Sequence, residues 1–493
     1  MNLKTPKARG VTFNFIMNMI LTISSFVFPL ITFPYISRVL GAVGNGKVEF
    51  AASVISYFSM FAQLGIPTYG IRVCAQCRND KDKLNRTVQE LLIINTGLIC
   101  ITYFLFFVCL MLVPRLQEEK TLLIITSLSI VLNSFGVNWL FSAFEQYGYI
   151  TTRNLIFKII SIILMFLLVK SKEHYIIYGA INVLATSGSN VLNIIYAGRF
   201  LDHRIFKDYQ FKRHLRPILT FFMLSVAVTI YTGMDKVMIG FMCDDAEVGY
   251  YSAAVKMKSI LVSAVTALGT VLLPRISNVF AEGNMREYER LIQKSINFIF
   301  VCAVPLTVYF AWMADSTILF LAGTGYEEAV LPMRIITPTI LLIGLSNITG
   351  MQILVPTNRE NITTFSTIVG AIVNLVLNTI LIKDYGAIGA AVGTVTAEFA
   401  VLVLQIVFLH SEIRNFIRGI QIGRIFISNA IAILVLCLVK TYAGQYSYLG
   451  QLLICAITFF CSYGFLLISF HEKFTCEYME WVKKYFVRRF CRR

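Results

Sequence analysis

Charge is scarce in this chain of 493 residues, with Asp, Glu, Lys and Arg together making up only 14%. Soluble domains carry about 25%. Acids are the scarcer sign, 27 Asp and Glu against 43 Lys and Arg. No Pro-rich linker, low-complexity tract or long hydrophilic connector interrupts the sequence, so no soluble domain is expected and any function sits among apolar segments. A G-x-x-x-x-G-K-[ST] phosphate loop is absent, which argues against direct use of ATP. The eleven Cys mostly lie within apolar stretches and suggest no disulfide framework. The one C-x-x-C spacing, Cys74 and Cys77 in "VCAQC", has no second Cys pair or His cluster beside it, so free reduced thiols are expected rather than a metal or redox site. His is also rare, at five residues. A membrane polymerase or glycosyltransferase generally needs a substantial loop of acceptor or catalytic residues, and the short connectors here disfavour that alternative.

What the chain has in abundance is apolar surface: 57% hydrophobic residues and a mean hydropathy of +0.72. These values place it in the membrane class. The net charge of +16 does not point to nucleic acid, because the bases gather in connectors and at the chain ends, as membrane topology requires. A spanning helix needs roughly 20 apolar residues. Fourteen such segments are read at 11–37, 48–71, 87–113, 121–143, 151–169, 175–198, 216–242, 249–273, 290–313, 329–355, 362–382, 386–409, 421–440 and 448–470. The first is too long for a signal-peptide core and lacks a small-residue cleavage site, so it reads as a spanning helix behind the basic lead "MNLKTPKARG". Glycines 386, 389 and 393 make 386–409 the poorest helix former of the set.

With a cytoplasmic N-terminus, the inner connectors hold Arg72, Arg78, Lys81, Lys83 and Arg86, then Arg199, Arg204, Lys207, Lys212, Arg213 and Arg216, then Arg275, Arg286, Arg290 and Lys294. The tail adds Lys483, Lys484, Arg488, Arg489, Arg492 and Arg493, whereas the outer connectors near 243–249 and 314–329 have neither Lys nor Arg. The positive-inside rule then predicts an even number of spans with both termini in the cytoplasm. An internal repeat points the same way. "SRVLGAVGNGKVEFAA" (37–52) and "DKVMIGFMCDDAEVGYYSAA" (235–254) each leave a span with a base, turn outside the membrane and re-enter at Gly46 or Gly249 before an Ala-Ala pair. Their spacing of six spans suggests two six-helix lobes in parallel pseudo-twofold repeat, 1–200 and 201–410, with the substrate site at their interface. Two additional helices at 411–470 and a basic cytoplasmic tail at 471–493 complete the expected all-α organisation.

Charges inside spans are costly, about 2.5–3.5 kcal/mol at the bilayer centre on insertion scales, so they face protein or a wet cavity. The candidates are Arg38, Glu49, Lys158, Asp235, Lys236, Lys256, Lys258, Arg334 and Glu398. Arg38 and Arg334 lie near the outer interface, where long side chains also snorkel to headgroups. Glu49 has a local alternative, pairing with Arg38 or Lys47. Asp235 and Lys236 are adjacent in a helix and cannot pair with each other, so each needs a partner from another helix or water. Lys256 and Lys258 are about 200° apart round a helix and cannot share one face. The deep charges are mostly basic, and a cationic cavity attracts an anion such as phosphate. Substrate binding is therefore expected of Arg38, Lys158, Asp235, Lys236, Lys256 and Lys258, and gating or ion coupling of Glu49, Arg334 and Glu398. The amides Asn182, Asn190, Asn193, Asn374 and Asn378, which also lie in apolar spans, are read as interhelical hydrogen-bonding groups. Pro29 and Pro34 are expected to kink the first helix.

Four blocks carry a family resemblance: 33–72 ("FPYISRVLGAVGNGKVEFAASVISYFSMFAQLGIPTYGIR"), 138–161 ("NWLFSAFEQYGYITTRNLIFKIIS"), 234–257 ("MDKVMIGFMCDDAEVGYYSAAVKM") and 385–398 ("YGAIGAAVGTVTAE"). In this order they resemble bacterial polysaccharide flippases of the multidrug, oligosaccharidyl-lipid and polysaccharide exporter superfamily. The resemblance implies a V-shaped two-lobe transporter in the bacterial cytoplasmic membrane that is not an enzyme. Its implied substrate is an undecaprenyl-diphosphate-linked oligosaccharide repeat unit, moved from the inner to the outer leaflet for O-antigen, capsule or exopolysaccharide synthesis. Membrane lipids and the polysaccharide polymerase machinery are the implied partners. No cofactor is expected, and H+ or Na+ is left as the coupling ion. Arg38, Asp235 and Lys236 fall on matching positions of the family blocks; Arg72 and Glu145 sit in matching blocks at cytoplasmic ends, where a structural role competes. A multidrug or cation antiporter of the same superfamily is the alternative. It requires a decisive acid in the first half, where Glu49 is the one span acid away from a cytoplasmic end.

Overall fold

A computed structural model describes residues 10–198, 201, 206 and 208–480. The basic lead, Arg199, Arg204, Lys207 and the six basic residues of the tail lie outside the described residues. Regular structure is helical, with no strand among the described residues. The first helices are α1 Val11–Gln63, α2 Ile66–Cys77, α3 Lys81–Leu112, α4 Pro114–Glu118, α5 Lys120–Phe135, α6 Asn138–Ala143 and α7 Tyr147–Leu168. Next come α8 Tyr175–Val183, a π-helical turn Leu184–Gly188, α9 Asn190–Ala197 and α10 Lys212–Met242. They are followed by α11 Asp245–Ala281, α12 Met285–Trp312, α13 Ala314–Ala322, α14 Val330–Ile336, α15 Thr339–Asn347 and a second π-helical turn, Ile348–Leu354. The chain continues through α16 Glu360–Phe408, α17 His410–Ile417, α18 Ile422–Ala443 and α19 Tyr448–Ser469.

Among the described residues, ten helical stretches are long and apolar enough to cross a membrane, or eleven if the two halves of α10, Lys212–Met223 and Val228–Met242, bent by 54°, form one span. Large apolar side chains point outward along them: Phe104 is 68% exposed, Met111 75% and Phe465 70%. In water each would forfeit about 25 cal/mol per Å²; against lipid tails they cost nothing, and the protein is a multi-pass membrane protein. At 1.5 Å per residue the 53 residues of α1 extend about 80 Å, far beyond a hydrocarbon core of ~30 Å. The non-helical residue in α1 is Gly41 (φ 69°, ψ −176°) rather than Pro29 or Pro34. Proline's fixed φ fits a helix even where its missing N–H does not, whereas φ near +70° takes Gly41 out of the helical basin altogether. Gly386 (φ 50°, ψ −127°) divides the 49-residue α16 in the same way, and the glycine-rich stretch behind it is helical.

The chain forms two compact units, Met1–Gly249 and Tyr250–Arg493. In the first, Ile66, Tyr69, Leu84, Val88, Trp139 and Phe141 form a buried core. Gly70 lets α2 approach the Trp139 ring so closely that a Cβ would lie within 2.7 Å of it. In the second unit α18 and α19 share a core with α12 through Tyr309, Leu436, Phe459 and Tyr463. The Tyr463 hydroxyl donates to the Val301 carbonyl at 3.0 Å and the Tyr309 hydroxyl to that of Leu452 at 2.7 Å. The two helices beyond 410 are thus built into this unit.

The two re-entry glycines of the sequence repeat meet inside the first unit. A Cβ on Gly46 would strike the carbonyl of Asp245, and one on Gly249 would strike that of Ala42. Each glycine therefore permits backbone contact with the other repeat segment, close packing of the kind small residues provide in lipid.

Candidate functional site

A cavity of about 440 Å³ lies within the first unit, bounded by α1, the start of α2, α5, α8 with its π-turn, and α10. Its polar wall is built from residues at helical spacing. Ser56, Ser59 and Gln63 line it from α1, and Thr126, Ser129 and Asn133 from α5. Asn182 and Thr186 do so from α8 and the π-turn, and Ser225 and Thr229 from α10. Spacings of three, four and seven residues place each set on one helix face. Ser225 lies within the interval where α10 bends and Thr229 just beyond it, and the π-turn Leu184–Gly188 adds a second irregular wall. Such π-turns occur frequently at functional sites. No Lys, Arg, Asp or Glu is among the described residues lining the cavity.

Behind this wall is a charge absent from the sequence candidates. Arg153 is only 3% exposed, and its guanidinium is caged by amides and hydroxyls. Nη1 donates to Asn190 Oδ1 at 3.0 Å and to Ser189 Oγ at 3.2 Å, while Nη2 donates to Asn138 Oδ1 at 2.6 Å. Asn190 in turn donates to Asn133 Oδ1 at 2.9 Å, linking the cage to the cavity lining. Asn193 donates to the Gly136 carbonyl at 2.6 Å. Asn190 and Asn193 thus serve as interhelical bonds, whereas Asn378 bonds Asn374 within α16.

The charges singled out in the sequence divide between the units: Arg38, Glu49, Lys158, Asp235 and Lys236 in the first; Lys256, Lys258, Arg334 and Glu398 in the second. Lys236 finds its partner on another helix, donating to Glu49 Oε2 at 2.6 Å. Lys47, the local alternative for Glu49, pairs with Glu119 of the α4–α5 junction. Asp235 is buried at 6% exposure, and Arg38 is exposed with its guanidinium on the Pro34 carbonyl of its own helix. Lys158 donates to Ser24 Oγ at 2.9 Å and Ser25 Oγ at 3.2 Å. Ser24 precedes Arg38 by fourteen residues on α1, about 21 Å of helix, so those two cations do not share one cluster. In the second unit Lys256 and Lys258 are half-buried and Glu398 is buried. Arg334 is exposed beside a 710 Å³ groove with Trp312, Cys437 and Lys440, the last bound to Asp315 at 3.0 Å.

Two further clusters escaped the sequence reading. Arg115 of α4 pairs with Asp245 and donates to Glu118 Oε2 at 2.5 Å and to the Gly240 carbonyl at 2.7 Å. Burial alone would lower its pKa, yet the Asp245 and Glu118 carboxylates hold it above the ordinary value. At the far end of α10, fully buried Glu90 accepts from Arg213 at 2.6 Å and the Gln210 N–H at 2.6 Å, and faces His214 Nε2 at 2.7 Å. The Tyr69 hydroxyl meets the other ring nitrogen of His214 at 2.7 Å. Apart from Glu118, three residues from Arg115, every partner named here is more than 100 residues distant, which leaves no local spacing to read.

The model of a family described as polysaccharide biosynthesis protein matches residues 11–280. A protein of Escherichia coli (strain K12) named "Putative O-antigen transporter" is 24% identical over 391 residues, covering 79% of this chain and 94% of that one. The lipid II flippase MurJ of Bacillus subtilis (strain 168) is 27% identical over 157 residues, 31% of this chain and 29% of its own. Among solved structures, a lipid II flippase MurJ in an inward closed conformation matches with a TM-score of 0.74 at 16% identity, over 92% of this chain and 99% of that chain, a likeness of fold. The family match covers more than half of the 493 residues and agrees with the multi-pass helical architecture: this chain belongs to the polysaccharide biosynthesis protein family.

Proposed function

We propose that this protein is a flippase. It moves undecaprenyl-diphosphate-linked oligosaccharide repeat units from the inner to the outer leaflet of the bacterial cytoplasmic membrane for surface polysaccharide synthesis. The observation that carries the reading is a polar cavity inside a membrane-spanning helical unit of a chain whose family is that of polysaccharide biosynthesis. The names of its relatives, an O-antigen transporter and a lipid II flippase, support the same class of cargo. Transport is by alternating access, with 1–200 and 201–410 as the moving lobes. The diphosphate is drawn by the cations Arg38, Lys158, Lys236, Lys256 and Lys258, with Asp235 holding local charge balance. Glu49, Arg334 and Glu398 take gating or ion-coupling roles, and H+ or Na+ supplies the drive. The lipid tail stays in the bilayer throughout, and the polymerase machinery receives the product.

Fourteen crossings with both termini in the cytoplasm complete this reading. Among the described residues eleven stretches qualify when the bent α10 is counted. Divided at Gly41 and at Gly386, two of these count as four in this reading, and the consecutive α8, π-turn and α9 count as one more. An even count keeps the basic connectors on one side.

The direct test is reconstitution into liposomes with undecaprenyl-diphosphate-linked oligosaccharide, measuring how much sugar becomes accessible to an external glycosidase. Wild-type protein should accelerate this well above empty liposomes, and Lys236→Ala or Lys256→Ala should slow it at equal protein levels. No acceleration by wild type would end the proposal; wild-type rates in both variants would remove the cationic residues from it.

A further inference from the structure

We infer that the cavity of the first unit is the saccharide site, and that it selects uncharged sugars over those carrying carboxylates. The inference rests on the flippase reading and adds a division of labour to it: sugar in this cavity, diphosphate elsewhere.

The argument is a census of protons. In the wall, Ser56 donates its hydroxyl to the Ser53 carbonyl, Thr126 to Leu122, Ser129 to Thr126, Thr186 to Asn182 and Ser225 to Phe221. Each of these bonds is 2.7–3.1 Å long and lies within one helical stretch. A hydroxyl that back-bonds in this way has no proton left to offer and presents only acceptor lone pairs to whatever enters. Ser59 is the exception: it accepts from Gln63 Nε2 at 2.8 Å and keeps its own proton to offer. A wall of acceptors suits a ligand that brings many O–H donors. It is unfavourable for a carboxylate or phosphate, which brings none and would be buried without a counter-charge. The lining has no Lys or Arg among the described residues to supply one. The donors that a sugar's own oxygens need come from the Ser59 hydroxyl and from Asn182 and Thr229, for whose side chains no hydrogen-bond partner occurs among the described residues. The volume, about 440 Å³, is within the ≈ 300–1,000 Å³ of small-molecule sites. The apolar remainder of the wall, Ile55, Met60, Pro67 and Val183, offers the C–H faces of a pyranose a place to pack.

The test compares undecaprenyl diphosphate carrying a neutral N-acetylhexosamine-containing tetrasaccharide with one in which a hexose is replaced by its uronic acid. Both are assayed for flipping in liposomes, and the free tetrasaccharides for binding to detergent-solubilised protein by thermal shift. Wild type should flip and bind the neutral form about tenfold better, the loss expected from one or two hydrogen bonds. The double variant Ser56→Ala/Ser129→Ala, which removes two of the acceptors, should lose most of that preference while eluting as a monodisperse peak. Thr229→Lys should instead raise binding of the uronate form. Equal handling of both sugars by wild type, or a preference unchanged in the double variant, overturns the inference. If wild type flips neither lipid, the flippase reading fails, and the binding measurement alone decides the cavity: no preference for the neutral tetrasaccharide overturns it.

Discussion

Lys236 and Glu49 illustrate how single residues are kept charged in an oily environment. Both side chains are mostly buried, at 20% and 17% exposure, and they close on each other at 2.6 Å. Removing one partner of a buried pair leaves a desolvated charge, which costs more than the pair contributes. Lys236→Ala alone should therefore lower the thermal unfolding temperature in detergent by several degrees, and Glu49→Gln with Lys236→Gln should recover most of the loss. Strictly additive shifts in a double-mutant cycle would show that the two are independent. Arg153 makes the complementary case, a guanidinium held by neutral dipoles instead of an acid. A lysine brings the charge but not the planar fork that reaches Asn138, Ser189 and Asn190 together. Arg153→Lys should destabilise the protein by about 1–3 kcal/mol, read as a downward shift in a detergent thermal melt; an unchanged melt would mean the cage is incidental.

At the scale of elements, backbone conformation at glycine decides where the long helices divide and how closely they approach. The pair Gly46 and Gly249 stands directly against the backbone of the opposite repeat segment, and a neighbouring carbonyl cannot rotate away as a side chain can. Gly46→Ala and Gly249→Ala should each cost about 1–3 kcal/mol or more through overpacking and broaden the elution profile of the solubilised protein. Gly464→Ala, with nothing within 4 Å of its added carbon, should leave the profile unchanged. A normal profile for all three would refute close packing of the repeat segments. These contacts were partly legible in the sequence: the repeat pointed to Gly46 and Gly249 as paired positions, but not to their contact with each other. The polar stripes Ser56–Ser59–Gln63 and Thr126–Ser129–Asn133 were also present at helical spacing. Hydroxyls at helical spacing are common in membrane helices, where they bond their own backbone or a neighbouring helix, so the stripes alone do not mark a cavity.

For the molecule as a whole, the proposed topology assigns each connector to a side of the membrane. In a cysteine-free background, Asp244→Cys and Glu328→Cys should react with a membrane-impermeant maleimide added to intact cells. Asn79→Cys and Glu282→Cys should react only after permeabilisation. All four positions are exposed, so failure to react on the assigned side would overturn the topology rather than report burial.

Composition and hydropathy determined on their own that this is a helical membrane protein, because the cost of placing charge and unpaired backbone in lipid leaves few alternatives. Four sequence blocks likewise sufficed for the family. The tertiary structure alone decided that Lys236 meets Glu49 while Lys47 meets Glu119, that Arg153 sits in a cage of amides and a hydroxyl, and that hydroxyls from five separate helical stretches converge on one cavity. Partition between water and lipid is a property of each segment and can be read locally. Pairing inside the bilayer depends on which helices become neighbours and at what rotation, and that information exists only once the chain has packed.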